Sequence, residues 1–273
     1  MASLGFVTSP ALDLPDDLDA DFVEPYLMGR FVGPADDGST RVLPDPLRGL
    51  GGLPVLGGAV LFPGSMTLAD PATPLAVITD HLDRVAESLA AAGSAGGEQA
   101  GGEQGSGEQA DRGWVVLGSG ASRTIPDHVD RQVGLERLAE VVREATARLG
   151  AVGYDVLVEP LRQQESNVFT TLAETGAFLD DHGLGNRMVC DTFHLFSQAQ
   201  TSADAVAQVR RIGHVHLSGH DRLAVHRDEQ AVFEVSDALV EAGYVGRFSL
   251  ECSWPNGVDD VRADLEVSRR RLP

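Results

Sequence analysis

The chain has 273 residues and carries 41 acidic against 21 basic side chains, which gives a formal net charge of −20 at pH 7. A field of this sign repels phosphate backbones and anionic lipid surfaces, so we expect neither nucleic acid nor a membrane as partner. All basic residues are arginine, which excludes Schiff-base chemistry and a lysine base. Without a membrane-span or signal-peptide pattern, the sequence predicts a cytoplasmic protein with a single domain over residues 1–273.

The first quarter of the chain predicts strands without the usual helices between them. Two strand-like segments are separated by only about ten residues, too few for a crossover helix. A stretch rich in Gly, Pro and Asp follows, from Met28 to Leu53, and precedes a third apolar segment. The three predicted strands are SLGFVTS, DADFVEPYL and LPVLGGAVLF. We therefore expect this part of the fold to lack some of its outer helices.

The middle of the chain contains a predicted helix and then an insertion. Apolar residues recur with helical spacing from about Pro74 to Ala92, which predicts an amphipathic helix. Residues 93–112 hold three copies of Gly-Glu-Gln in a Gly-rich tract that has too few apolar residues to order itself. We interpret this tract as a flexible insertion.

Strand and helix patterns alternate regularly after the insertion. Each apolar run of strand length is followed by an amphipathic segment, which is the arrangement of parallel β/α units. The five strands of this part are WVVLGSG, DVLVE, RMVCD, HVHLS and RFSLE. Together with the first three they number eight, and the sequence therefore predicts an α/β fold of the (β/α)8 TIM-barrel type.

Polar, ionisable residues end four of these strands. Glu159, Asp191, His216 and Glu251 are spaced 32, 25 and 35 residues apart, about one strand-helix unit each. The carboxyl ends of parallel barrel strands converge at one mouth, so we expect these side chains to meet. Three carboxylates would repel one another there without a cation between them, which predicts one divalent metal ion. Oxygen ligands with one imidazole suit Mn²⁺, Mg²⁺ or Co²⁺, and Zn²⁺ is an alternative.

Two further residues near the predicted strands are candidates for the site, His214 and Arg123. His214 shares a strand face with His216 but lies nearer the strand's start, so we favour His216 as the ligand and His214 as a core histidine. Arg123 follows a Gly-Ser-Gly turn after the fourth strand. We predict that it anchors a substrate oxygen or phosphate.

Several stretches of the second half resemble the sugar phosphate isomerase/epimerase family of xylose isomerase-like TIM barrels, which includes ketose 3-epimerases and hydroxypyruvate isomerases. The stretches are GSGASR, EPLRQQESNVFTTLAE, DTFH, HVHLSGHDR and GYVGRFSLEC. The resemblance implies that the four strand-end residues hold one divalent ion and that Glu159 and Glu251 also move the proton. It further implies that His194 and Arg222 contact substrate oxygens.

The predicted function is that of a metal-dependent isomerase or epimerase acting on a sugar, a sugar phosphate or a keto acid. Such an enzyme removes a proton next to a carbonyl and passes through an enediolate. A lyase or dehydratase acting on a polyol or keto acid could use the same site, and a non-catalytic sugar-binding protein is a further alternative. We expect a small-molecule substrate, and a homodimer is compatible with the sequence.

Overall fold

The computed structural model describes residues 2–96 and 112–273. Most of the predicted insertion at 93–112 lies outside the described residues, so its predicted flexibility stays a prediction. In the described part, no helix combines the length and the apolar character needed to cross a membrane.

Eight parallel strands form the barrel, in agreement with the predicted fold class. Their order in the sheet is β2-β1-β10-β9-β8-β7-β6-β5. Bridges Val23 to Val55 and Tyr26 to Ala59 join the two edge strands and close the barrel. The strands are β1 (Leu4–Thr8), β2 (Phe22–Pro25), β5 (Gly57–Gly58), β6 (Gly113–Leu117), β7 (Tyr154–Val158), β8 (Met188–Asp191), β9 (Ile212–Leu217) and β10 (Phe248–Leu250).

Helices cover the outside of the barrel only from the third barrel strand onward. The described residues before Leu75 form no α-helix, and an antiparallel hairpin of β3 (Val32–Pro34) and β4 (Thr40–Val42) packs against α1 instead. The predicted shortage of outer helices in this part is therefore confirmed. The α-helices are α1 (Leu75–Gly96), α2 (Gly120–Arg123), α3 (Arg131–Ala151), α4 (Leu172–Asp181), α5 (Thr192–Ser197), α6 (Ser202–Ala207), α7 (Glu229–Glu241) and α8 (Val258–Arg271).

Side-chain caps set where two of the helices begin. The Asp130 carboxylate accepts hydrogen bonds from two backbone N–H groups at the start of α3. The Thr171 hydroxyl accepts the N–H of Glu174 and starts α4 at Leu172. The residues between β7 and Thr171 form a loop.

Alternation along the strands separates the barrel interior into an apolar level and a polar level. Side chains nearer the strand starts form one small apolar cluster, made of Phe22, Trp114, Val116, Leu157 and Val189. Two residues further along, the same strand faces present Glu24, Glu159 and Asp191. Apolar side chains thus fill the barrel interior near the starts of the strands, and ionisable side chains occupy it towards their carboxyl ends.

Candidate active site

The four predicted strand-end residues meet at the carboxyl end of the barrel. Glu159 and Glu251 directly follow β7 and β10, Asp191 ends β8, and His216 lies on β9. One ligand atom from each of them lies within 4.8 Å of the others. Glu159, Asp191 and His216 are buried, and Glu251 is partly exposed. The fold thus produces the convergence that the spacing predicted.

Two polar atoms at the centre of this cluster lack hydrogen-bond partners. His216 Nδ1 lies 2.9 Å from Glu251 Oε2 and 3.4 Å from Glu159 Oε1, but both His216 Nδ1 and Glu159 Oε1 are buried without a hydrogen bond in the described structure. Leaving such atoms unpaired is costly, whereas a cation between them would satisfy both. The donor set of three carboxylates and one imidazole therefore fits a divalent metal ion.

The sequence reasoning missed Glu24, which lies on β2 and is fully buried beneath the cluster. Its carboxylate is 3.2 Å from His216 Nε2 and accepts a hydrogen bond of 3.0 Å from the Ser249 hydroxyl. Contact with Nε2 leaves Nδ1 as the nitrogen that faces the other three carboxylates. Glu24 thus orients His216 in the way that carboxylates orient metal-binding histidines. The available signal was an acid inside the apolar strand FVEP.

The electrostatics of this pair favour charge on both partners. Burial acts to raise the pKa of Glu24. The positive charge of His216 and the hydrogen bonds with His214 and His216 outweigh this effect of burial and hold the pKa of Glu24 well below its usual range. Burial likewise lowers the pKa of His216, yet the carboxylates of Glu24 and Glu251 hold it well above the ordinary histidine value.

Arg222 enters the cluster from the loop after β9. One of its nitrogens, Nη1, lies 2.5 Å from Asp191 Oδ2 and 2.9 Å from Glu251 Oε2. The backbone there is unusual, since Asp221 and Arg222 have φ angles of 57° and 59°, in the left-handed region. Such conformations cost energy and are concentrated at functional sites. The structure thus brings Arg222 to the site where the resemblance implied it would act.

The two acids that Arg222 contacts differ in their pKa. Burial raises the pKa of Asp191 to about 6, although Arg222 opposes this shift. Burial also acts to raise the pKa of Glu251, but Arg222 and His216 outweigh it and lower that pKa well below its usual range. Glu251 is therefore ionised at neutral pH, as a proton acceptor must be.

His194 lies on α5 beside Arg222 and is buried. Its Nδ1 accepts a hydrogen bond of 3.2 Å from the backbone N–H of Arg162. Nε2 lies 3.0 Å from Arg222 Nη2. His194 and Arg222 thus contact each other directly.

For Arg123, the predicted contact with substrate stays a prediction. Its side chain is fully buried, and its guanidinium donates to the backbone carbonyls of Leu117, Glu159 and Phe169. Burial lowers its pKa to about 10. We interpret Arg123 as a group that joins the ends of β6 and β7, because its described contacts are with the protein's own carbonyls. This geometry gives no support to the predicted contact with substrate.

Gly118 makes room for the Glu159 carboxylate. A Cβ atom at this position would lie 2.4 Å from Glu159 Oε2, closer than such atoms approach in proteins. The Gly-Ser-Gly turn thus has a steric role beside the cluster, whereas the sequence suggested a phosphate contact near it.

A cavity of about 180 Å³ opens beside Glu251. Tyr26 lies on one wall. Burial is the largest cause that raises the pKa of Tyr26, and the carboxylates of Glu251 and Glu159 raise it further. Among the described residues, none that lines this cavity is basic; they are Val7, Ser9, Leu12, Tyr26, Glu251, Cys252, Trp254 and Gly257. A mixed wall of hydroxyls and apolar groups next to a polar cluster is suited to a small neutral polar molecule.

A parallel β/α barrel with ionisable residues gathered at its carboxyl end has the architecture of the β/α-barrel enzymes, whose active sites lie at that end. The model of the xylose isomerase-like TIM barrel family matches residues 108–271, and the chain belongs to this family. It is 28% identical over 141 residues to a D-psicose 3-epimerase from Enterocloster bolteae. That match covers 51% of this chain and 44% of the relative, so the aligned part spans less than half of the curated protein.

Solved structures share the fold over the whole chain. A 3-keto-D-glucoside 4-epimerase from E. coli superposes with a TM-score of 0.73 at 14% identity, covering 99% of this chain and 100% of that one. A D-allulose 3-epimerase from Methylomonas sp., solved with D-allulose, also gives a TM-score of 0.73, at 15% identity, covering 100% and 98% of the two chains. At these identities the likeness establishes the fold.

Proposed function

We propose that the protein is a metal-dependent epimerase or isomerase of an unphosphorylated ketose. The observation that carries this proposal is the convergence of Glu159 and Glu251 on His216 Nδ1, at 3.4 and 2.9 Å. Two carboxylates on different strands can remove and return a proton at one carbon of a substrate held between them. The similarity to D-psicose and D-allulose 3-epimerases supports a ketose as substrate.

Glu159, Asp191, His216 and Glu251 would hold the metal ion, which would stabilise negative charge on the substrate carbonyl oxygen when it is bound. One glutamate takes the proton from the carbon next to the carbonyl, and the other returns a proton to the opposite face. Arg222 stabilises the same developing charge, because it is a cation within hydrogen-bond distance of Glu251. Arg222 Nη2 and His194 Nε2 lie 3.0 Å apart, so a substrate oxygen beside this pair can contact both groups.

The cavity beside Glu251 favours an unphosphorylated substrate over a sugar phosphate or an acid. Its lining residues include no arginine, and arginine is the basic residue of this chain. The negative charge of Glu251 would repel a phosphate or carboxylate in this cavity, and the cavity wall supplies no cation to offset that repulsion.

The test is hydrogen exchange from solvent. Ketoses such as D-psicose and D-fructose are incubated with the Mn²⁺-loaded protein in deuterated water, and NMR follows deuterium at the carbons beside the carbonyl. We expect exchange with formation of the epimer. Glu159→Gln and Glu251→Gln should each reduce the rate by at least about a hundredfold, the lower range for a positioned general base. Glu266→Gln, an exposed change on α8, should leave the rate unchanged.

Other outcomes would contradict the proposal. A product that has lost water identifies a dehydratase, and sugar binding without any exchange identifies a binding protein. Metal analysis provides a separate readout: the wild-type protein should bind one equivalent of a divalent ion, and Glu159→Gln should weaken that binding. Unchanged metal binding in this variant would remove Glu159 from the ligand set.

A further inference from the structure

Trp254 forms part of the wall of the cavity beside Glu251. It lies three residues after Glu251, in a segment without regular secondary structure between β10 and α8. Gly257 has a φ angle of 63°, in the left-handed region that favours glycine, and donates its backbone N–H to the Trp254 carbonyl at 2.9 Å. This turn fixes the backbone of Trp254, so the position of its ring depends on side-chain contacts.

A buried carboxylate holds the indole ring of Trp254. The Nε1–H of this ring donates to Asp264 Oδ2 at 2.9 Å, and Asp264, on α8, is fully buried. The ring also meets Phe6 of β1 edge to face, with the ring centroids 6.1 Å apart and the planes at 81°. A polar contact at the indole nitrogen and an aromatic contact at the ring body therefore set the position of Trp254 together.

The other oxygen of Asp264 binds a different segment of the chain. Oδ1 accepts the backbone N–H of His226 at 2.8 Å and lies 2.7 Å from Nδ1 of the same residue. His226 belongs to the short 3-10 helix Val225–Arg227, in the connection that follows β9 and also carries Arg222. The backbone N–H of Ser253 donates to the Arg222 carbonyl at 2.7 Å. Asp264 thus joins α8 to the two connections that border the candidate site.

Only a carboxylate serves both contacts at once. The indole N–H of Trp254 and the backbone N–H of His226 are both donors, and they bind different oxygens of Asp264. An asparagine amide offers a single acceptor oxygen, and an apolar side chain offers none. A buried carboxylate is costly unless its oxygens are hydrogen-bonded, and here both of them are.

We propose that Asp264 is a positioning residue for substrate binding, which fixes Trp254 as a wall of the cavity beside Glu251 and thereby sets the affinity for the ketose. A side chain that must be ordered when the ligand binds weakens binding, whereas a ring that is already held in place does not. The inference rests on the proposed function for its substrate. It assigns Asp264 no part in metal binding or in proton transfer.

Steady-state kinetics with D-psicose and the Mn²⁺-loaded full chain separate this role from a structural one. Asp264→Leu keeps a branched side chain but removes both acceptor oxygens. It should raise KM by about tenfold, the effect of losing one charge-assisted hydrogen bond, and leave kcat within about twofold. Trp254→Phe keeps an aromatic ring without the N–H and should raise KM by a similar factor, and the double variant should add little to either. Asp259→Asn, an exposed change on α8, should behave like the wild type.

NMR of the indole N–H groups gives a readout that does not depend on turnover. The chain has two tryptophans, Trp114 and Trp254, so Trp254→Phe assigns their resonances. We expect D-psicose to shift the Trp254 resonance and to leave that of Trp114, which packs in the apolar cluster of the barrel interior, unchanged. In Asp264→Leu the Trp254 N–H should exchange faster with solvent, because it has lost its acceptor.

Three results would overturn the inference. The first is a wild-type KM in Trp254→Phe, and the second is a Trp254 resonance that D-psicose does not shift. The third is a lower kcat at unchanged KM in Asp264→Leu, which is the result of a purely structural role. If Asp264→Leu does not fold, the first two results still decide.

Failure of the proposed function gives a different result. D-psicose would then shift the Trp254 resonance without any deuterium exchange at its carbons. The affinity obtained from that shift would take the place of KM, and Trp254→Phe and Asp264→Leu should still weaken binding by about tenfold, followed through the backbone amides of the cavity wall.

Discussion

At the scale of single residues, the orientation of His216 depends on Glu24, whose side chain is fully buried. It joins His214 and His216 on β9 to Ser249 on β10, with atom distances between 3.0 and 3.3 Å. An ionised carboxylate in the barrel interior is stable only because these partners compensate the loss of water. The same contacts fix the ring of His216 before any ligand binds.

We predict that Glu24→Gln weakens divalent metal binding by about 10-fold to 100-fold, the usual effect of changing a group that orients a metal-binding histidine. The amide keeps the size of the side chain but removes the negative charge beside Nε2. Calorimetric titration with Mn²⁺ gives the measurement. Glu136→Gln, an exposed change on α3, is the matched control and should bind like the wild type.

A wild-type affinity in Glu24→Gln, with a wild-type melting temperature, would show that His216 is oriented without this carboxylate. His214 would not orient His216 in place of Glu24. Its Nε2 lies 2.9 Å from Ser249 Oγ, and its ring packs against that of Trp114 at a tilt of 35°, with a centroid distance of 4.4 Å. It packs in the barrel interior, as its position before His216 predicted.

Among the secondary-structure elements, the connection between β6 and β7 depends on Arg123. A buried guanidinium without a carboxylate partner is expensive, and here three carbonyl oxygens and the ring of Phe169, 5.3 Å away, compensate it. One of these carbonyls belongs to Glu159. The backbone that carries a proposed ligand is therefore held by a residue from the neighbouring β/α unit.

Arg123→Met should lower the free energy of unfolding by about 2–4 kcal/mol, because it removes three buried hydrogen bonds from a charged donor. Urea denaturation measures this loss. Arg270→Met, which removes only an exposed pair with Glu266, should change stability by less than about 1 kcal/mol. If Arg123→Met were as stable as the wild type and raised KM for the sugar instead, the predicted substrate contact would be correct.

The barrel as a whole is closed by a discontinuous pairing between β2 and β5. Strand β5 has two residues, and it meets β2 through isolated bridges rather than a continuous ladder. Hydrogen bonds from Leu27 N to Ala59 O, at 2.8 Å, and from Ala59 N to Pro25 O, at 3.0 Å, form this junction. The helices that usually cover such strands are absent from the described residues before Leu75.

Native-state hydrogen exchange should therefore be fastest, among barrel strands, at this junction. We expect the amides of Leu27 and Ala59 to exchange through local opening, before those of Val116 and Leu157 in the β6–β7 pair, which has five residues in register. Exchange followed by NMR resolves the individual amides. Equal protection at both places would show instead that the barrel opens only as one cooperative unit.

The sequence by itself determined the strand count, the class of fold and the place of the four strand-end residues. Period-two alternation and a regular strand-helix spacing are local properties, and parallel strands bring their carboxyl ends to one mouth. Glu159, Asp191, His216 and Glu251 could be found for that reason. The helix from about Pro74 was equally local and is present as α1.

Only the tertiary structure decided which buried charged groups contact which partners. Glu24 and His216 are 192 residues apart in the chain and meet only because β2 and β9 belong to one closed barrel. Arg123 follows a turn that suggested an anion contact, yet its guanidinium reaches carbonyls on two other segments. Such partners depend on distance in space, which no local pattern in a sequence records.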